Sequence, residues 1–284
     1  MSIASNHAAS RTARMVAALR GRASARPQPL CHDPWASALA GEEGEALADA
    51  FSPSFPAFEL WMAVRTAYLD QYVHHFTTSP QDFGQVVILG AGLDTRAARL
   101  ARPGVRFFEV DHPATQADKR ARVDALPGYP RDAARYVACD FETEDFVTKL
   151  QAAGFEPGRA ALVLWEGVVP YLSEPAIRAS LRRIAHACDE RTVLVFDYVG
   201  KRIATRDKLR ADDERNMALL DGLGESVVFG SNDVLPMLHD EGFRHVRTVS
   251  FDEACLSLTG SYDRERMFRF QHVAIASRTA CALL

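Results

Sequence analysis

Short apolar runs alternate with amphipathic stretches through the middle of the chain. The apolar runs that we predict to be strands are residues 85–90, 105–110, 135–139, 161–165 and 192–198. The amphipathic stretches that we predict to be helices lie near residues 94–101, 112–125, 143–153 and 174–188. Strands that alternate with helices in this way indicate βαβ units and a parallel sheet. Their nearly continuous apolar character is typical of strands that are covered on both faces.

The flanking segments complete an α/β fold. Two strand-like runs, 243–251 and 267–277, are separated by a turn at Gly260, which favours an antiparallel pair at one sheet edge. We therefore predict a single domain with a doubly wound, seven-stranded, mostly parallel sheet. Its predicted parts are an N-terminal helical cap over 1–80, a core over 85–198, a lid inserted after strand five over 199–230, and a C-terminal helix with an edge hairpin over 231–284.

Composition and charge exclude several classes of function. The 284 residues are 48% hydrophobic and 25% charged, with a formal net charge of −4, which disfavours nucleic-acid binding. No apolar run approaches the roughly 20 residues that span a bilayer, and the N-terminus lacks the apolar core of a signal peptide. The five scattered cysteines favour reduced thiols in a cytoplasm, and the histidines do not cluster with them at metal-ligand spacing. We expect a cytoplasmic protein without a membrane, nucleic-acid or metal partner.

A glycine-rich loop follows the first predicted strand, and acidic residues follow the strand ends. The loop contains Gly90, Ala91 and Gly92, but Thr95 stands where the dinucleotide fingerprint has its third small residue. The acids at or just beyond the ends of the first four strands are Asp94, Glu109, Asp111, Asp140 and Glu166. In an open α/β sheet these ends share one edge, where ligands bind.

The sign of these charges bears on the ligand. The pyrophosphate of a dinucleotide is anionic and prefers backbone N–H groups at a helix N-terminus. S-adenosyl-L-methionine carries a sulfonium, an ammonium and one carboxylate, so acidic residues suit its net positive charge. Asp111 lies nineteen residues after Gly92, where a ribose is held in either case; it could also cap the helix that opens at Pro113. A nicotinamide-dependent oxidoreductase therefore remains an alternative.

One arginine interrupts the apolar stripe of the predicted helix over 56–76. Aromatic and aliphatic residues recur there at three- and four-residue spacing, and Arg65 occupies the remaining position of the stripe. A charge on a buried face needs a partner. Arg65 is therefore expected either to pair with an acid of the protein or to clamp a ligand carboxylate bidentately.

Several motifs together resemble one family. The motifs "SRTA", "HDPWASAL", "VRTAYLD", "VVILGAGLDTRAARL", "FFEVDHP", "ACDF" and "WEGVVPYL" occur in the order and spacing of the leucine carboxyl methyltransferase family. The resemblance covers about residues 5–200 and is most specific in "GAGLDTR" and "EVDHP". The family also includes bacterial polyketide carboxyl O-methyltransferases. It implies a class I methyltransferase fold, similar to a Rossmann fold, with S-adenosyl-L-methionine as methyl donor.

The resemblance also implies roles for individual residues. Arg65 would hold the donor's carboxylate, Gly90 would pass close to its methionine part, Asp111 would bind the ribose, Asp140 and Phe141 would frame the adenine, and Glu166 would contact the amino end. Arg11 matches a basic residue that closes over the donor, although Arg14 matches equally well.

The chemistry of methyl transfer limits the residues that the site requires. A carboxylate acceptor needs no general base, so alignment and desolvation carry most of the rate enhancement. A phenol, with a pKa of about 10, would need one. The residues that could line an acceptor pocket are His112, Tyr171, Asp197 and Tyr198, although a helix-start, capping or core role is also open to them. We expect an O-methyltransferase for a small-molecule carboxylate such as a polyketide; the alternatives are a phenol or hydroxyl methyltransferase and a non-catalytic module that binds the donor.

Overall fold

The computed structural model describes residues 9–53, 57–78, 83–141, 143–261 and 270–281. Its strands are β1 (Gln85–Leu89), β2 (Arg106–Asp111), β3 (Ala134–Ala138), β4 (Ala161–Trp165), β5 (Val193–Val199), β6 (His245–Ser250) and β7 (Gln271–Ser277). Its helices are α1 (Arg11–Ser24), α2 (Ala36–Phe51), α3 (Phe58–Thr78), α4 (Arg96–Arg99), α5 (Pro113–Asp124), α6 (Phe146–Ala152), α7 (Glu174–Ala187), α8 (Lys201–Thr205), α9 (Ala211–Gly222), α10 (Leu235–Asp240) and α11 (Phe251–Thr259).

The strands form one sheet in the order β3-β2-β1-β4-β5-β7-β6. The first five strands are parallel, as predicted. The chain adds β2 and β3 on one side of β1 and then crosses to add β4 and β5 on the other side, so the strand order reverses between β1 and β4. β7 pairs antiparallel with both β5 and β6, so it alone runs against the other six strands. This is the seven-stranded, doubly wound α/β sheet that the sequence predicts. The switch point between β1 and β4 is where such folds bind ligands.

The link between the last two strands differs from the prediction. A helix, α11, follows β6 directly, where the sequence indicated only a strand and a short turn. Ser250 and Glu253 form a reciprocal capping box at its start, and Gly260 ends it in the left-handed region at φ +68. Gly260 is thus a helix C-cap rather than a hairpin turn. Residues 267–269 of the predicted last strand lie outside the described residues.

Two apolar layers cover the two faces of the sheet. α1, α2 and α3 of the N-terminal region pack on one face together with α11. α6, α7 and α10 pack on the other. All residues of β1, β4 and β5 are buried, and successive side chains alternate between the two layers because side chains of a strand point to opposite faces.

The segment predicted to be a lid, residues 199–230, contains α8 and α9; we keep the name lid segment for it. α8 begins two residues after β5 ends, and the chain after α9 returns to the sheet edge. There the backbone N–H groups of Val228 and Phe229 donate to the carbonyl of Pro170, at 2.8 and 3.0 Å. No helix in the described ranges is long and apolar enough to cross a membrane.

Candidate active site

A cavity of about 540 Å³ lies at the carboxyl ends of β1, β2, β4 and β5. The sheet edge forms its floor, while α1, α3 and the lid segment contribute its walls. Its volume falls in the range of roughly 300–1,000 Å³ that is usual for small-molecule sites. The cavity therefore occupies the position that the strand-end acids predict.

The glycine loop forms one wall of the cavity, and its conformation requires glycine at position 90. Gly90 has φ +66, and a Cβ at this position would overlap the Cγ2 methyl of Val168. The N–H groups of Gly90 and Ala91 donate to the carbonyl of Val110 at 2.8 and 3.2 Å, which fixes the loop against β2. Gly90, Ala91 and Gly92 all line the cavity. A ligand can thus approach this backbone closely.

Two acidic residues and an aromatic ring lie on the cavity wall at the ends of β2 and β3. The Asp111 carboxylate accepts hydrogen bonds from the N–H of His112, at 2.6 Å, and from the N–H of Gly92. Burial raises the pKa of Asp111 above its ordinary value. Asp140 and Phe141, which follow β3, also line the cavity. This is the arrangement that the resemblance implies for a ribose and an adenine.

Arg65 lies at the centre of an ion-pair network under the cavity. Its Nε donates to Glu166 at 2.7 Å, and its Nη1 donates to Asp197 at 2.8 Å. The second oxygen of Glu166 accepts from Arg96 at 2.6 Å. Although burial opposes ionisation, Arg96 and Arg65 hold the pKa of Glu166 below its ordinary value. Arg65 has protein partners and also lines the cavity, so both roles considered for it are geometrically possible.

Asp94 lines the cavity, but its charge is matched within the protein. One carboxylate oxygen accepts from the backbone N–H of Arg96 at 2.6 Å, and the other pairs with the Arg96 guanidinium. Burial opposes ionisation of Asp94, yet Arg96 lowers its pKa to about 2. The sequence reasoning assigned this carboxylate to the ligand. In the structure it lines the cavity and also has a partner two residues away.

Three of the four predicted acceptor-pocket residues line the cavity: His112, Tyr171 and Asp197. His112 is the N-cap of α5, and its Nδ1 accepts from the N–H of Ala114 at 3.3 Å. Asp197 accepts from the N–H of Gly167 at 2.6 Å, in addition to its bond with Arg65. Burial raises the pKa of Tyr171 above its ordinary value.

Two predicted residues lie away from the cavity walls that the structure describes. Tyr198 sits on the opposite face of β5 from Asp197, where it stacks on His272 with ring centroids 5.1 Å apart. Strand alternation requires this, because adjacent residues point to opposite faces. Arg11 is exposed and donates to Glu43 at 3.1 Å, and the other match for its role, Arg14, pairs with the same acid. Neither Tyr198 nor Arg11 is among the described residues that line the cavity.

Sequence reasoning missed polar residues that line the cavity from the cap and the lid. Arg20 of α1 donates to the carbonyl of Leu93 in the glycine loop and pairs with Asp33, both at 2.6 Å. Asn216 and Glu225 reach the cavity from the lid segment. The "HDPW" motif containing Asp33 was a usable signal for the first contact. The lid residues belong to a charged stretch whose pattern does not distinguish a cavity wall from a solvated face.

The cavity fits S-adenosyl-L-methionine. Gly90, Asp111 and Phe141, to which the resemblance assigns the methionine part, the ribose and the adenine, all line the cavity. Among the described residues that line the cavity, the acids outnumber the arginines, which are Arg20 and Arg65; this suits a donor with net positive charge. Among the described residues there is no group of three or more potential ligands that could hold a metal ion.

Comparisons with known proteins identify the family. The leucine carboxyl methyltransferase family model matches residues 13–185. A candidate S-adenosyl-L-methionine-dependent methyltransferase of Mycolicibacterium vanbaalenii is 38% identical over 202 residues, covering 66% of this chain and 65% of the relative, so the match spans just under two thirds of its length. A relative of the same description from Frankia alni is 34% identical over 225 residues, covering 76% and 78%.

A solved structure shows the same fold. The structure of a candidate methyltransferase from Thermobifida fusca has a TM-score of 0.66 at 16% identity and covers 97% of both chains. The family match decides between the two cofactors considered, because a methyltransferase uses a methyl donor and not a dinucleotide. The chain therefore belongs to the leucine carboxyl methyltransferase family, has the class I methyltransferase fold, and uses S-adenosyl-L-methionine as its cofactor.

Proposed function

We propose that the protein is an O-methyltransferase that converts a small-molecule carboxylate, such as a polyketide acid, to its methyl ester. Family membership supports methyl transfer from S-adenosyl-L-methionine. The choice of a carboxylate as acceptor rests on one observation: the two residues of the predicted acceptor pocket that could serve as a general base are already engaged.

The engaged groups are His112 and Asp197. The Nδ1 of His112 accepts a hydrogen bond from the start of α5, so the neutral ring carries its proton on Nε2 and has no free basic nitrogen. Asp197 is bound by Arg65 and by the N–H of Gly167. An acceptor that is already ionised at neutral pH avoids the need for a base. A carboxylate, with an ordinary pKa of about 4, meets this condition.

The bound donor supplies an electrophilic methyl carbon: a C–O bond to the carboxylate forms while the C–S bond breaks, and its electron pair neutralises the sulfonium. No proton is transferred, so the protein's task is to position both reactants and exclude water. Gly90 and Asp111 would hold the donor, and Arg65 would fix its carboxylate. The apolar side chains of Trp61, Met62 and the lid segment would shield the acceptor from water.

A hydroxyl acceptor is the second candidate, and Glu225 is the observation that favours it. Glu225 lines the cavity and accepts a hydrogen bond from the Ser10 hydroxyl at 2.6 Å. Burial raises its pKa above the ordinary value. A carboxylate with a raised pKa is a stronger base, which is what removal of a phenolic proton would need.

Incubation with methyl-labelled donor and matched aromatic acids and phenols distinguishes these functions. We expect base-labile methyl esters, formed at a rate that is nearly independent of pH between about 6 and 9, because the acceptor is fully ionised there. A Gly90→Val variant is the control, since it obstructs the donor loop. Base-stable products whose rate rises with pH would establish a hydroxyl acceptor. Donor binding without any labelled product, from the panel or from a metabolite extract, would indicate a non-catalytic binding module.

A further inference from the structure

Asn216 is a buried amide to which the described residues offer no hydrogen-bond partner. Its side chain lies on α9, is 2% exposed, and lines the cavity. Neither Nδ2 nor Oδ1 has a partner among the described residues. Buried polar groups are nearly always paired, because an unpaired one loses its hydration without compensation. An unpaired amide at a cavity wall is therefore placed to bind a ligand.

The path of α9 places Asn216 on the acceptor side of the cavity. Asp213, almost one helical turn before it, has its carboxylate 3.6 Å from Arg202 of α8, which follows β5. The segment after α9 reaches the opposite side, where Glu225 accepts from Ser10 near the end of β2. The donor contacts come from the ends of β1 to β4. Asn216 lies between these two points, so it lines the cavity from the lid segment, away from the strand ends, and the acceptor would lie there.

We propose that Asn216 determines acceptor specificity, and that the acceptor carries a hydroxyl or carboxamide group in addition to the carboxylate that is methylated. Nδ2 would donate to the oxygen of that group, and Oδ1 would accept from its O–H or N–H. A second carboxylate accepts only, so it would leave Oδ1 unpaired. Asn216 thereby adds substrate class to the proposed function, on which this inference rests.

The neighbours of Asn216 describe the rest of this substrate. Met217 and Leu220 lie on the same helix, line the cavity, and belong to the apolar cluster under the cap. The acceptor therefore has an apolar body that carries a polar group at one point. A site that pairs with a substrate hydroxyl rejects the analogue without it, since binding that analogue leaves the amide buried and unpaired. A purely hydrocarbon acid should be a poor substrate.

The test uses octanoate, decanoate and cinnamate, each with its set of monohydroxylated counterparts. We expect the wild type to favour at least one hydroxylated counterpart by about tenfold or more in kcat/KM. Asn216→Leu keeps the side-chain shape without hydrogen-bonding groups, and should bring that ratio close to one while leaving donor affinity unchanged. It should also raise the Tm of the free protein by about 2–4 °C, because an unpaired buried amide is removed. Ala218→Leu, on the exposed face of α9, is the matched control.

The outcomes separate this inference from the proposed function. An unchanged hydroxyl preference in Asn216→Leu would overturn it, as would a loss of donor affinity, which would place the amide against the donor. If the wild type methylates no acid of the panel, the proposed function fails. Calorimetry of the same acids with the demethylated donor then still tests Asn216. Tighter binding of hydroxylated acids by the wild type, but not by Asn216→Leu, would support its role; equal binding would refute it.

Discussion

The Asp94→Asn substitution tests whether the Asp94 carboxylate serves the fold or the ligand. Asn retains an oxygen that can accept from the N–H of Arg96, but it loses the negative charge that pairs with the Arg96 guanidinium. The pKa of Asp94 falls from an ordinary 3.8 to about 2 in the folded protein. Since one pKa unit corresponds to about 1.4 kcal/mol, the charge contributes about 2 kcal/mol to stability.

The pH dependence follows from the direction of this pKa change. Because the pKa is depressed in the folded state, the contribution of Asp94 is fully present well above pH 3.8 and is lost as the pH falls towards about 2. Urea unfolding should show Asp94→Asn to be less stable than the wild type by about 2 kcal/mol at pH 7. The difference should fall to about half of that near pH 3. Asp221→Asn, which removes a more exposed ion pair with Arg206, should cost less than about 1 kcal/mol.

Two results would refute this reasoning. A loss of stability that is the same at pH 7 and pH 3 would show that packing, rather than charge, is responsible. Unchanged stability with a donor affinity at least about thirtyfold weaker, which also corresponds to about 2 kcal/mol, would show that the carboxylate acts on the ligand. Calorimetric titration with S-adenosyl-L-methionine measures that affinity on the same samples.

Three further perturbations address other parts of the site. Gly90→Ala should weaken donor binding at least about tenfold in calorimetry, because the new Cβ overlaps Val168 and φ is positive; Gly222→Ala, where a Cβ meets no atom, should bind normally. Ser10→Ala should lower the free energy of unfolding by about 1–2 kcal/mol in urea, since it removes the α1 N-cap and the bond to Glu225. Ellman's reagent at pH 8 should label the Cys188 thiol far more slowly than in urea, because burial raises its pKa to about 12.

The parallel core was predictable because local pattern determines it. The strands β1, β4 and β5 are buried on both faces. Such strands are nearly continuous apolar runs, a pattern that is easy to find in a sequence. The acids at the strand ends converge because parallel strands share one carboxyl edge. Tyr198 shows the limit of that reasoning: a residue can lie at a strand end and still face the wrong side. Strand alternation shows from sequence alone that Asp197 and Tyr198 cannot both face the cavity, although it does not show which of them does.

The partners of buried charges were harder to predict from the sequence, because they depend on contacts between distant segments. Arg65 and Glu166 are 101 residues apart, and no rule of sequence spacing predicts that they form an ion pair. The same limit applies with more force to the lid segment. Asn216 lies in a helix whose mixed charges are typical of a solvated surface, yet its side chain is buried. Only the fold shows that this amide faces the cavity and that the part of the chain described by the structure gives it no partner. Acceptor specificity is therefore the property that sequence pattern predicts least, since it depends on individual polar atoms in the segment with the weakest pattern.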